Sequence, residues 1–237
     1  MNGEAFTTKV SVQEVTAGQP STVVPITVND RAATREALIR KVHQLGCQFV
    51  ERSEWGAVKG NAMASDWDYS MIALHHAGRS YSCGTGAEQM RETQKEQIDK
   101  FEDFSYHFGI SCDGVIYEGR DIRLKGAHVR QYNTGVIGIV LLNNLSTADE
   151  GGDIVALGRQ GLEFLGVSTT NSIPGAQIDS VITLISALRS VFFIKHFGGH
   201  REYPNQLSEG KICPGNVGME LVKNIRKNMD LLPPPTS

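Results

Sequence analysis

Long apolar runs are missing from this 237-residue chain. None approaches the roughly 20 residues that cross a bilayer, so no transmembrane segment is expected. The opening Met1-Asn2-Gly3-Glu4 has neither the basic nor the apolar region of a secretory signal, and no export leader is expected from it. A charge excess is missing too. The 23 Lys and Arg against 26 Asp and Glu leave a formal charge of −3, with the two signs interspersed. That is no field for sequence-independent binding of phosphate backbones, so nucleic acid is excluded as a partner. Cysteine is scarce: Cys47, Cys83, Cys112 and Cys213 are few and widely spaced, which argues against a disulfide-stapled scaffold. Cys47, Cys83 and Cys112 read as small buried hydrophobes. No internal repeat is visible. What remains, 40% hydrophobic and 21% charged, is the composition of an ordinary globular protein with one sizeable core.

Residues Phe6 to Asp30 are rich in Thr, Val, Ser and Pro without periodicity and read as an extended arm. Leu38, Ile39, Val42 and Leu45 recur at helical spacing before Gly46, predicting a short amphipathic helix over 34–45. Ser70 to His76 is a short apolar run that suits a buried strand emerging at two histidines. A helix is predicted from Glu88 to Phe104, with Met90, Ile98, Phe101 and Phe104 inward. Tyr106 to Ser111 and Val115 to Glu118 flank Cys112-Asp113-Gly114, the signal of a hairpin. Val136 to Leu142 is the most apolar run and reads as a central strand covered on both faces, so helices must lie on both sides of the sheet. Residues 143–174 read as an insertion holding one short helix around Leu157 to Leu165. Helices are predicted again over Gln177 to Phe193, with Ile178, Ile182, Ile185 and Phe192, and over Val217 to Leu232, ended by Pro233 to Pro235.

Hydrolysis at zinc needs three protein ligands from imidazole, thiolate or carboxylate, with a fourth position open. The chain offers His75-His76 at a strand end, His200 after Gly198-Gly199, and Cys213 within Lys211-Ile212-Cys213-Pro214-Gly215. No two of these share the short spacing of zinc fingers or helical zinc motifs, so spacing alone is a weak signal. A longer series of stretches strengthens it: Arg52-Ser53-Glu54-Trp55-Gly56-Ala57, Leu74-His75-His76-Ala77-Gly78, Tyr106-His107-Phe108, Asp113-Gly114, Glu118-Gly119-Arg120, Gly126-Ala127-His128, Tyr132-Asn133, Ile137-Gly138-Ile139, Gly199-His200-Arg201 and Cys213-Pro214-Gly215. In this order, from about Phe49 to the C-terminus, the chain resembles the peptidoglycan recognition proteins and type-2 N-acetylmuramoyl-L-alanine amidases, a family that includes phage lysozymes of the amidase type.

The resemblance implies an α/β fold with a central mixed sheet and helices on both faces. The chain would be a single zinc amidase domain over 49–237, carrying the 143–174 insertion and preceded by an N-terminal extension over 1–48. It implies zinc held by His75, His200 and Cys213; alternation along the strand lets only one of His75 and His76 face the metal, and the family pattern picks the first. Tyr106 matches the catalytic tyrosine. Lys211, where phage amidases carry a lysine, would stabilise an oxyanion. His128, Asn133 and Arg120 match the substrate groove. His107 should turn to the face opposite Tyr106 and read as a core histidine, whereas His43 and His196 match no functional position.

Two departures stand out. The stretch 202–210 makes the spacing from His200 to Cys213 longer than the family's, so it must bulge. The animal members' closely spaced cysteine pair after His-His is also missing, since only Cys83 stands there, so no extracellular disulfide is implied.

The expected activity is zinc-dependent hydrolysis of the amide between the lactyl group of N-acetylmuramic acid and L-alanine in peptidoglycan. The rivals are a recognition module that binds peptidoglycan without cutting it, against which the complete ligand set weighs, and a metal hydrolase of another amide. Because peptidoglycan lies outside the cytoplasm, the protein is expected to reach the wall by another route. It would be either a toxin injected into rival bacteria, with a cognate immunity protein in the producer, or a phage endolysin; the reading leans to the toxin.

Overall fold

The computed structural model describes residues 6–8, 24–26, 28–61, 63–78, 82–147, 149–150 and 172–236. Much of the 143–174 insertion, including the helix expected around Leu157 to Leu165, lies outside the described residues. In the N-terminal arm, Phe6–Thr8 (β1) and Val24–Ile26 (β2) pair antiparallel.

Helix α1, Val28–Gln44, starts earlier than its apolar spacing predicts. Its Leu38, Ile39 and Val42 enter the main core, so the stripe that marked the helix is the face that holds it down. The remaining strands are Phe49–Val50 (β3), Met71–His76 (β4), Phe108–Ile110 (β5), Ile116–Glu118 (β6), Val136–Leu141 (β7) and His196–Gly199 (β8). The other helices are Arg52–Trp55 (α2), Gly86–Phe101 (α3), Gly175–Arg189 (α4) and Gly215–Met229 (α5).

One six-stranded sheet runs β3-β6-β5-β7-β4-β8. Only the β5–β6 hairpin is antiparallel; every other pairing is parallel, which makes the sheet mixed. Strand β7 lies inside the sheet with all six residues buried, as its unbroken apolar run requires. Alternation divides its side chains between two cores. Ile137, Ile139 and Leu141 join Ile72 and Leu74 of β4 against α1, α4 and α5, while Val140 packs with Trp55 and Met90 against α2 and α3. The expected α/β architecture with helices on both faces is the observed one.

Several boundaries differ. Helix α3 ends at Phe101, because Glu102 adopts a left-handed φ of 70° and closes the helix by donating its N–H to the Ile98 carbonyl. Phe104 is therefore buried beyond the helix rather than on it. Tyr106 precedes β5, although its carbonyl still accepts the Arg120 N–H at 2.8 Å. In α4 the inward face is carried by Val181, Leu184, Ile185 and Leu188, whereas Ile182 is exposed.

The cysteines need a correction. Cys83 and Cys112, read from the sequence as small buried hydrophobes, form a disulfide, with Cα atoms 5.6 Å apart. Cys83 is exposed. The fold brings the segment before α3 beside the β5–β6 turn, a proximity that 29 residues of sequence separation conceal. Cys47, read as buried, is a free thiol that is only partly buried and packs against the main core.

Candidate metal centre and groove

Strands β4 and β8 are parallel neighbours, with Leu74 opposite Gly199. The next residue on each, His75 and His200, therefore emerges at the same end of the sheet. In β4 the alternation that sends Ile72 and Leu74 into the main core turns His75 to the opposite face. His76 turns back, its Nδ1 accepting the Leu145 N–H at 3.0 Å.

Cys213 is delivered by backbone stitching. The Arg201 N–H donates to the Cys213 carbonyl at 2.9 Å, and the Arg201 guanidinium donates to the Ile212 carbonyl and to Glu150. Gly215 sits at φ 83°, where a Cβ would collide with the Leu145 carbonyl, so only glycine lets this turn lie so close. The bulge required of 202–210 is a chain of tight turns: Gln206 N–H to the Tyr203 carbonyl, Glu209 N–H to that of Asn205, and Lys211 N–H to that of Gln206.

One ligand atom from each of His75, His200 and Cys213 lies within 4.8 Å of the others. Cys213 Sγ is 3.5 Å from His75 Nδ1. Tetrahedral zinc with bonds of about 2.0–2.3 Å sets its ligand atoms roughly 3.3–3.8 Å apart, so the cluster needs only a small contraction to hold it.

The proton positions fit as well. The Val136 carbonyl can only accept, so the His128 Nε2 that lies 3.3 Å from it carries the hydrogen. Neutral His128 then offers Nδ1 as an acceptor to His75 Nε2–H at 3.1 Å, leaving the His75 Nδ1 lone pair turned toward Cys213. Burial, with the neighbouring histidines adding to it, holds His75 and His128 well below the usual imidazole range. Burial brings His200 down to about 4. The same burial pushes the Cys213 thiol up to about 12. Two neutral imidazoles and a thiol that ionises only beside a cation are the donor set of a divalent metal.

Beside the cluster, and sharing His200 with it, lies a groove of about 580 Å³ lined by Tyr106, His128, Asn133, His200, Gln206 and Lys211, among others. The Tyr106 ring centroid is 4.8 Å from that of His75. Lys211 is exposed at the rim. His128 serves mainly as the partner of His75; its ring fits because Gly126 and Gly138 leave no Cβ to strike it. Asn133 Oδ1 accepts the N–H groups of His128 and Val129, each at 2.8 Å, fixing the backbone below the groove.

Arg120, expected in the groove, is not there. It is buried, and its guanidinium donates to the carbonyls of Phe104, Lys125 and Phe101. A fork with several donors is suited to tying loops together, and that is its place here. His107 is fully buried, accepting the Gly138 N–H at Nδ1 and donating from Nε2 to the Leu124 carbonyl, as the core reading expects. Gln206 escaped the sequence reading altogether; nothing in a polar loop marks one glutamine as buried.

Fold and site together describe an α/β protein with a candidate metal centre at the ends of parallel strands, beside a groove. The sequence pattern of the N-acetylmuramoyl-L-alanine amidase family matches residues 65–216, and the chain belongs to that family. Among relatives, peptidoglycan-recognition protein SC2 of Drosophila simulans is 37% identical over 111 residues, 44% of this chain and 59% of the relative. The N-acetylmuramoyl-L-alanine amidase of Sus scrofa is 30% identical over 109 residues, 42% of this chain and 18% of that protein. The matched part thus spans less than two thirds of either. Among solved structures, wild-type Drosophila PGRP-LB superposes with a TM-score of 0.59 at 24% identity, over 78% of this chain and 96% of its own. The amidase LysC of Clostridium intestinale superposes with a TM-score of 0.54 at 19% identity, over 78% and 99%. Both share the fold.

Proposed function

We propose that this protein is a zinc-dependent amidase cutting between the lactyl group of N-acetylmuramic acid and the L-alanine of the peptidoglycan stem peptide. Membership of a family of amidases and peptidoglycan recognition proteins supports an activity on that polymer. The observation that carries the catalytic reading is the His75, His200 and Cys213 cluster, whose His200 also lines the groove. Bound there, zinc supplies Lewis-acid polarisation and the activation of a water.

The chain's own residues do the rest. His75 and His200 present neutral nitrogens, and His128 keeps His75 turned the right way. Tyr106, on the groove wall, donates its phenolic hydrogen to the carbonyl oxygen as negative charge builds there. The Lys211 ammonium adds a positive field from the rim. Asn133 and the rim backbone hold the glycopeptide in register.

Incubation of the protein with purified peptidoglycan, with a chelator and then with zinc restored, tests the reading by mass spectrometry of the products. Stem peptides starting at L-alanine, lost on chelation and regained with zinc, are expected. Intact peptidoglycan in the presence of bound zinc would leave a recognition module. Cys213→Ser should lose both zinc and turnover, since a serine hydroxyl is a far poorer ligand; retention of both would remove Cys213 from the site.

Action outside the cytoplasm belongs to the same proposal. The Cys83–Cys112 disulfide supports it, because such bonds persist in oxidising compartments. For an injected toxin with an immunity partner, expression directed to the bacterial periplasm should be far more lethal than cytoplasmic expression; equal tolerance of the two counts against that role.

A further inference from the structure

From the lengthened loop between His200 and Cys213, we infer that Gln206 is a positioning residue for the metal centre: its amide fixes which nitrogen of His200 is offered to the ion. The inference rests on the zinc reading above and deepens it.

The orientation of the amide follows from its neighbours. Gln206 is 1% exposed and so must satisfy its polar atoms within the protein. Its Nε2 lies 3.1 Å from the Arg130 carbonyl and 3.1 Å from the Pro204 carbonyl. Carbonyls only accept, so the NH₂ group must face them and the amide oxygen must face the other way. There it meets His200 Nε2 at 3.1 Å. An amide oxygen also only accepts, so His200 Nε2 carries the hydrogen and the Nδ1 lone pair is left for the metal.

His75 is arranged in the same sense, with Nε2–H given to His128 and Nδ1 turned to Cys213. Both imidazoles are therefore preset as Nδ1 ligands, one by a histidine from the groove wall and the other by a glutamine from the lengthened loop. The same glutamine ties the loop to the Arg130 backbone on the groove rim. The accompanying Arg130–Glu209 ion pair, at 3.4 Å with Arg130 mostly exposed, adds little. Gln206 thus joins His200 to the rim, and the loop's extra length is what lets a buried amide reach both.

The test is the zinc affinity of the full-length protein, measured by competition with a chromophoric chelator, for wild type, Gln206→Leu and Gln206→Glu. Thermal melting of the zinc-free proteins confirms folding. Leucine removes the acceptor, and zinc should bind 10–100-fold more weakly, the usual effect of losing such a partner. Glutamate restores an acceptor for His200 Nε2–H but sets a carboxylate against the Arg130 and Pro204 carbonyls. If Gln206 positions His200, the glutamate variant stays within a few-fold of wild type. If it only docks the loop, glutamate does at least as much damage as leucine.

A folded leucine variant with wild-type affinity, or a glutamate variant as weak as leucine, overturns the inference. Should leucine prevent folding, Gln206→Met, unbranched and of similar length, carries the same comparison. A wild-type protein that binds no zinc removes the proposed function itself and this inference with it, which separates the two failures.

Discussion

The Cys83–Cys112 disulfide is open to a quantitative test. Removing both sulfurs with the double variant Cys83→Ser, Cys112→Ser avoids a stray thiol. Cys83 is exposed and Cys112 half-buried, so serine itself is tolerated at both sites. The bond closes a loop of 29 residues. Restricting an unfolded loop of that length removes about 12 cal/mol/K of chain entropy, or about 3.5 kcal/mol at 25 °C. The loop contains α3 and β5, whose Met90, Phe108 and Ile110 are buried on the two faces of the sheet, so its freedom is fully released only on global unfolding. Urea unfolding under chelating conditions, which separates the effect from metal binding, should show a loss of about 3 kcal/mol. The melting temperature should fall by roughly 6–12 °C for a chain of this size. The urea dependence should steepen, since the uncrosslinked unfolded chain exposes more surface. A double variant within about 1 kcal/mol of wild type, with unchanged urea dependence, would refute the reasoning that the bond acts through the unfolded state.

Tyr106→Phe removes only the hydroxyl; zinc affinity should be unchanged while turnover on peptidoglycan falls about 10²–10³-fold, the size of losing one oxyanion donor, and an unchanged rate would deny the phenol its role. His107 gives a pH signature. Burial holds it at about 4 against an ordinary 6.5, so the unfolded chain takes up its proton first and stability falls as the pH drops below 6.5, with no contribution well above it. Between pH 7.5 and pH 5 this one group should cost about 2 kcal/mol. Metal-free wild type should therefore lose about that much more stability than His107→Asn over the interval, and parallel pH profiles would count against the buried neutral imidazole.

The strands that build the site were the most legible parts of the sequence. Residues 71–76 and 136–141 are apolar runs too short for helices and covered on both faces, so periodicity and burial agree there. The His75, His200 and Cys213 cluster was legible only through motif resemblance, since sheet register brings the two histidines together and a loop delivers Cys213, with no short spacing to mark the set. Other features depend on tertiary contacts that leave no local trace. Glu102 ends α3 without a glycine to announce it. Arg120 looks like any groove arginine until its three carbonyl partners are known. The disulfide and the Gln206 bridge depend on pairs of segments distant in sequence, and no pattern within either segment encodes the meeting.

The parallel pairing of β4 and β8 has a wider consequence. Because Leu74 stands opposite Gly199, the separation of the two imidazoles follows from the interstrand spacing of roughly 4.8 Å and not from the length of chain that joins them. More than a hundred residues intervene, among them the 143–174 segment, yet the register of two short strands sets the gauge. Connections at this end of the sheet are therefore free to lengthen, shorten or acquire new binding surfaces while the distance between the histidines stays constant. Changes confined to the loops thus leave the gap between the two histidines untouched.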